Sequence, residues 1–300
     1  MEQMLKTLFW APFVIYRHGS LKPEKIYVKA TGGYIYFSHS DRRAIKKLVF
    51  DTARGRTPDP VRFWQDFITK TQPDFALDIG VNYGECLFGT RYPDSCRIIG
   101  CEANPTILAY LERSRITHPS ASSIEIISGI VSDVVDANQE FFVDPTWSGT
   151  SSVAPTEATG NEARVIYKLH THRLDSIVTP EQADGRTIII KMDIEGSEPR
   201  AMQGFASALQ RAKLVVGFME FDSTMIHEAG SNPETFFHAL QESYEIYRLN
   251  HKGSKELVKI GSYTSIPRSR AKDGRIHLDF ILVSKGVKSS EWLPSGWMLS

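Results

Sequence analysis

Cysteine is scarce in this 300-residue chain: Cys86, Cys96 and Cys101 form neither an even set for a disulfide framework nor a C-x-x-C spacing for zinc. The chain is therefore expected in a reducing compartment, the cytoplasm. Long apolar runs are also missing. The most apolar stretch, Leu5 to Tyr16, falls short of the ~20 residues a membrane span needs, contains Pro12, and lacks a small-residue secretory cleavage site. It is expected to dock on the protein's own body, with peripheral membrane contact through residues 1–16 as the other use. An excess of one charge is absent too: 35 basic residues balance 35 acidic ones, which excludes a general nucleic-acid binder. The balance is uneven, because residues 1–60 hold eleven Lys/Arg against five Asp/Glu. Neither an internal repeat nor a low-complexity tract occurs.

What is present is a rhythm. Residues 25–37 alternate as a hairpin, with Ile26, Val28 and Ala30 on one arm, a turn at Thr31-Gly32-Gly33, and Tyr34 to Phe37 returning. A helix is expected near residues 42–52, and another from Asp59-Pro60, with Asp as N-cap and Pro at the first helical position. From residue 75 strands alternate with helices, the mark of an open, mostly parallel α/β sheet. Seven strands are expected, at 75–80, 97–102, 124–131, 187–193, 214–221, 244–250 and 276–284, the last two as an antiparallel pair. Helices are expected from Asn104-Pro105, over 197–209, and from Asn232-Pro233. The long polar stretch 144–163 is expected to be either a lid or a floppy excursion, and residues 250–275 an elaborated connection.

The chain is organised around Phe75-Ala76-Leu77-Asp78-Ile79-Gly80-Val81-Asn82-Tyr83-Gly84. A buried strand here hands over to a glycine loop, as at a nucleotide site. The spacing is not the G-x-G-x-x-G of a nicotinamide site, and Asp78 would repel a diphosphate. A ligand with a cationic amino-acid part, such as S-adenosylmethionine (SAM), suits that carboxylate better. Gly80 and Gly84 permit close backbone approach, and Asn82 offers hydrogen bonds. Glu102 ends the next strand, where it can accept both ribose hydroxyl protons; that contact is shared by SAM and NAD sites.

A second acidic edge follows three isoleucines. Asp193 and Glu195 stand at the carboxyl end of the 187–193 strand, where open α/β sheets bind ligands, and are expected to share one face. Such a pair either accepts a proton from a substrate hydroxyl or jointly holds a cation. The simpler reading of Glu195 or Glu198 is that of a cap on the helix that follows. Glu220 ends a neighbouring strand and is a candidate for lining the acceptor pocket. His172, in a His170-x-His172 pair, is a second candidate base, and Asp175 reads as a cap or as a support behind the site.

In order along the chain, Leu77-Asp78-Ile79-Gly80-Val81-Asn82-Tyr83-Gly84, Cys101-Glu102-Ala103-Asn104-Pro105, Ile130-Val131-Ser132-Asp133, Arg173-Leu174-Asp175 and Ile190-Lys191-Met192-Asp193-Ile194-Glu195-Gly196-Ser197-Glu198 resemble the FkbM-type SAM-dependent methyltransferases. The resemblance runs over roughly residues 75–285, with weaker similarity from about residue 25. Val81 and Ala103 depart from the usual alanine and proline without removing a polar contact. The resemblance implies a class I, Rossmann-like methyltransferase fold in three parts: an N-terminal extension of hairpin and helices (1–72), a SAM-dependent domain (73–286) and a C-terminal tail (287–300). It implies that Asp78, Gly80, Asn82 and Gly84 surround the methionine part, that Glu102 holds the ribose, and that Gly129, Ile130 and Asp133 border the adenine. SAM is then the cofactor and S-adenosylhomocysteine (SAH) the product. The implied acceptor is a hydroxyl on a sugar, glycan or secondary metabolite. Asp193, Glu195, Glu220 and His172 are the catalytic candidates, no metal ligand is assigned, and metal dependence stays open. Two other functions compete: a non-catalytic assembly protein that binds the adenosyl cofactor, and an NAD-dependent oxidoreductase.

Overall fold

The computed structural model describes residues 11–136, 138–154, 164–269 and 274–300. The chain enters through helix α1 (residues 11–18), which buries Val14 against the body and leaves Phe13, Ile15 and Tyr16 exposed. A hairpin of β1 (Lys25–Val28) and β2 (Gly33–Tyr36) follows, as the alternation of residues 25–37 leads one to expect. Its inner strand, β2, is held to the body by Ser114 and Thr117, whose hydroxyls accept from the Tyr36 and Tyr34 N–H groups. Helix α2 begins at Arg42–Ala44, widens through Ile45–Phe50 and closes at Asp51–Ala53. Asp41 caps it by accepting from the Arg43 and Ala44 N–H groups. In helix α3 (Asp59–Thr71) the N-cap is Pro58 rather than Asp59. Asp59 instead spends its carboxylate on Arg62 and on the Gly253 N–H.

The expected strands all form: β3 (Phe75–Ile79), β4 (Arg97–Glu102), β5 (Ile124–Ser128), β10 (Thr187–Met192), β11 (Leu214–Asp222), β12 (Tyr244–Leu249) and β14 (His277–Ser284). Four short strands lie between β5 and β10: β6 (Ile130–Val131), β7 (Gln139–Val143), β8 (Val165–Leu169) and β9 (Thr171–His172). The main sheet has nine strands rather than seven, because β13 (Glu256–Lys259) and β15 (Met298–Leu299) extend one edge. Its order is β15-β13-β12-β14-β11-β10-β3-β4-β5, parallel from β11 to β5, with β14 antiparallel to both β11 and β12. This is the class I, Rossmann-like methyltransferase arrangement. The chain reverses direction across the sheet between β3 and β10, which opens a crevice at their carboxyl ends.

Alternation along the central strands divides the core. Ala76, Ile98, Ile189 and Phe218 face α3, where Phe63, Trp64, Phe67 and Ile68 are buried, and α4 (Pro105–Ile116), where Ile107 and Leu111 are buried. Leu77, Ile99, Ile188 and Ile190 face the other layer, which includes Phe205, Phe236 and Phe237. On that side sit α5 (Glu198–Gln203), α6 (Ala206–Arg211), α7 (Ser223–Glu228) and α8 (Pro233–Ser243). One helix was expected over 197–209, but it breaks between α5 and α6 at Gly204-Phe205. A Cβ at Gly204 would lie 2.1 Å from the Ser132 carbonyl oxygen, so this close approach, not propensity, sets the break. Asp175 caps α6 by accepting from the Ala208 N–H at 2.9 Å. The strand expected over 124–131 likewise divides at Gly129, whose φ of 137° turns Ile130 and Val131 away from β4 to pair with β9. Residues 287–300, read from sequence as a tail, carry Trp292 and Trp297 into the core beside Phe67.

Cys86, Cys96 and Cys101 are free and buried. No described helix is long and apolar enough to cross a membrane.

Candidate functional site

The crevice is lined by the ends of β3, β4 and β10, by α2, and by the loop after β7. Asp78 does not line it. The side chain is 1% exposed, opposite Lys191 in the β3–β10 register, with the Lys191 Nζ 3.4 Å from its Oδ1. Burial pushes the Asp78 carboxyl up to about 6, while Lys191 pulls it down. Burial also opposes the Lys191 charge, yet Asp78 and Asp193 hold it above the ordinary lysine value. Lys191 donates to the Gly80 carbonyl at 2.6 Å, so the Asp78–Lys191 pair props the loop from beneath. Gly80 has a φ of 79°, and a Cβ there would lie 1.9 Å from the Asp193 carbonyl oxygen. No other residue permits that approach of two strand ends.

Asn82 also adopts a left-handed backbone, with φ 52°. Its N–H donates to Glu102 Oε2 at 2.6 Å, and its side-chain amide bonds the Ser148 hydroxyl at 3.1 Å. Gly84, with φ 84°, lets the loop close over Phe88. Glu102 is buried and takes a second N–H, from Asn104, on Oε1 at 2.7 Å. Burial raises its pKa, and these two backbone bonds oppose the rise. Each oxygen keeps acceptor capacity beyond these bonds, and Glu102 lines the crevice.

Beyond Glu102 the wall is Gly129, Ile130 and Phe141, with Val153 packed against the latter two. His172 lies behind Gly129: its Nε2 is 3.0 Å from the Ser128 carbonyl, and a Cβ on Gly129 would meet it at 2.7 Å. It is not among the residues lining the crevice. Asp133 is likewise outside the lining, with the Ser132 hydroxyl donating to it at 3.0 Å and Arg173 bonding its backbone carbonyl.

Sequence reasoning missed Arg43. Its Nη1 donates to Asn82 Oδ1 at 3.1 Å and to Glu85 Oε1 at 2.9 Å. The loop after β7 lies over it, since a Cβ at Gly149 would sit 2.7 Å from Arg43 Cδ. Arg42 bonds the Thr146 carbonyl and hydroxyl, and Lys46 lies 5.5 Å from the Trp147 ring centroid. Residues 144–154 thus close the crevice against α2. The rest of the stretch expected as lid or excursion, 155–163, lies outside the described residues.

At the other end, Asp193, Glu195 and Glu220 each bring a carboxylate oxygen within 4.8 Å of the others, the one such three-ligand group among the described residues. That spacing suits either shared protons or a divalent cation. The strand stops at Met192, so Asp193 and Glu195 do not share a strand face as expected. They sit on a turn in which Glu195 is left-handed, with φ 54°. Glu198 makes the turn by accepting from the Ile194 and Gly196 N–H groups at 2.9 and 3.0 Å. Burial pushes this carboxyl to about 7. Burial, with Asp193 adding to it, raises Glu195 and Glu220 well above the carboxylate range. Across the β11–β14 register Asp279 faces Glu220 and is itself pushed to about 7, first by burial and then by Asp193. His277 spans Asp222, 2.7 Å from Nδ1, and Glu220, 3.5 Å from Nε2. Burial opposes the Asp222 charge, but bonds from His277 and Arg275 hold that carboxyl far below the usual range. His277 is correspondingly raised, chiefly by its bond to Asp222.

Residues 78–250 match the family described as the methyltransferase FkbM domain. A search of curated proteins finds no match. Among solved structures, the chain is similar to an O-methyltransferase from Bacillus cereus in complex with SAH, at 14% identity and a TM-score of 0.41, over 81% of this chain and 90% of that one. It is also similar to the O-methyltransferase TomG from Streptomyces achromogenes, involved in tomaymycin synthesis and in complex with SAM, at 10% identity and a TM-score of 0.41, over 82% of this chain and 86% of that one.

Proposed function

The chain belongs to the FkbM family of SAM-dependent methyltransferases, and from that premise we propose that it methylates a hydroxyl oxygen on a small polyhydroxylated acceptor, a sugar, glycan or secondary metabolite. The observation that carries this reading is the gathering of Asp193, Glu195 and Glu220 beside the Gly80 loop. A hydroxyl must lose its proton as the oxygen gains a methyl group, and a carboxylate cluster at the mouth of the crevice offers the acceptor for it.

The residues present fit an adenosyl ligand. Glu102 has acceptor capacity left for two ribose hydroxyls, Gly80 lines the crevice with bare backbone, and Ile130, Phe141 and Val153 form an apolar slot for a base. SAM, when bound, supplies an electrophilic methyl group. Asn82 positions Glu102 through its N–H, while Asp78 acts from below through Lys191 and the Gly80 carbonyl. His172 shapes the slot by fixing Gly129 and Ser128. Asp193 is the more exposed of the catalytic carboxylates and the residue assigned as base. Glu195 and Glu220, held high by burial and by Asp193, keep protons near it.

The test is transfer of labelled methyl to a panel of sugars and polyhydroxylated metabolites, with and without EDTA. Asp193→Asn is expected to keep SAH affinity within about threefold and to lower turnover by about 100-fold or more, the usual size of a general-base contribution. Unchanged turnover in that variant would remove Asp193 from the mechanism. Loss of activity with EDTA alone would assign the carboxylates to a cation instead.

A further inference from the structure

Resting on the cofactor reading above, we infer that Arg43, delivered by the N-terminal segment, binds the α-carboxylate of the methionine part of SAM and SAH. The ionisable side chains lining the crevice are Arg43, Glu102, Asp193 and Glu195, one guanidinium among three carboxyl groups. A ligand whose amino-acid part carries both an ammonium and a carboxylate needs one partner of each sign. Glu102 ends β4, on the far side of β3 from β10, and is occupied with the ribose end. Asp193 and Glu195 follow β10, so the amino-acid part lies on their side, where its ammonium finds the Asp193 carboxylate and its own carboxylate needs a cation. Lys191 is nearby but turned beneath the Gly80 loop, bonded to the Gly80 carbonyl and paired with Asp78 and Asp193. Arg43 is what remains.

Its geometry suits the task. Asn82 and Glu85 both take their bonds from Nη1, which pins the guanidinium plane and leaves the Nη2 donors for a planar carboxylate. Gly149 packs its backbone against Cδ and Nε, so the fork is clamped from the loop side as well. The Glu85 charge, with Asp193 next, holds the guanidinium pKa above its ordinary value against the effect of burial. Asp41, by capping α2, sets where Arg43 emerges. Residues far before the glycine loop thereby complete the cofactor site, and Arg43 becomes a specificity determinant for the intact amino-acid end of the ligand.

The experiment is calorimetric titration of the full chain with SAM, SAH and decarboxylated SAM, in the wild type, Arg43→Gln and Arg43→Lys. A charge-assisted bond to a carboxylate predicts that Arg43→Gln weakens SAM and SAH by about 10- to 100-fold. Decarboxylated SAM, which lacks the group, should change by less than about threefold, and Arg43→Lys should recover part of the loss for SAM. The wild type alone should prefer SAM to decarboxylated SAM by a similar factor, a comparison that stands even if Arg43→Gln fails to fold. Equal weakening of all three ligands would make Arg43 a purely structural residue and overturn the inference, as would wild-type affinities that ignore the carboxylate. A wild type that binds none of the three would instead overturn the cofactor reading on which the inference rests.

Discussion

Glu198 illustrates how a single buried carboxyl sets both the shape of the site and its response to pH. It holds the Ile194–Gly196 turn through two backbone N–H groups, yet burial leaves it titrating near 7 rather than at 4.5. The folded state therefore binds this proton more tightly than the unfolded chain. That contribution to stability is complete below about pH 4.5 and is lost as pH rises through about 7. Glu198→Gln keeps a neutral side chain but has one acceptor oxygen in place of two, so it loses a bond at every pH. The melting-temperature deficit of the variant is expected to be largest near pH 4.5 and to shrink toward pH 8. A deficit that stays constant over that range would mean that Glu198 does not titrate there. The same scale shows what was legible from sequence and what was not. Gly80 and Glu102 stand out because strand ends and glycine loops are encoded locally. Arg43 does not, because it meets Asn82 across 39 positions of chain, through a helix whose docking no local pattern specifies. Asp78 was legible as important, but its burial against Lys191 was not: period-two alternation tells which face a side chain takes, not which partner crosses from the next strand.

Among the elements, strand and helix identity followed from hydrophobic period, and the departures have tertiary causes. The strand through Ile124 bends out at Gly129, and the helix after Ser197 breaks at Gly204, in each case where backbone packs on backbone more closely than a side chain allows. The added edge strands β13 and β15 are short, and short pairings carry little signal in sequence. Their structural weight is larger than their length suggests. Trp297, just before β15, packs with ring centroids 5.0 Å from Phe67 and 6.4 Å from Phe63, and its indole N–H donates to Asp66 at 2.8 Å. Removing it leaves a cavity against α3 and takes one of two bonds from an Asp66 oxygen that Lys255 also holds, at 2.7 Å. Trp297→Ala is expected to cost about 3–5 kcal/mol in chemical denaturation, as other large aromatic truncations do. A loss below about 1 kcal/mol would show that the C-terminal segment is only laid on the surface.

For the molecule as a whole, three separate parts of the chain meet at the carboxyl edge of one sheet. The central strands bring Gly80, Glu102 and Asp193, the N-terminal helix α2 brings Arg43, and the loop after β7 brings Ser148 and Gly149. They converge on one crevice, where the proposed reading seats the adenosyl ligand with the acceptor toward Asp193 and Glu195. The central claim is that this ligand sits with its ribose on Glu102. It is tested most directly by calorimetric titration of SAH into the wild type and into Glu102→Ala, with NAD as the competing ligand. The expected result is binding of SAH by the wild type, weakened by about 10-fold or more in Glu102→Ala from the loss of hydrogen bonds to a charged acceptor, and no binding of NAD. SAH affinity untouched by Glu102→Ala, or binding of NAD in preference to SAH, would contradict it.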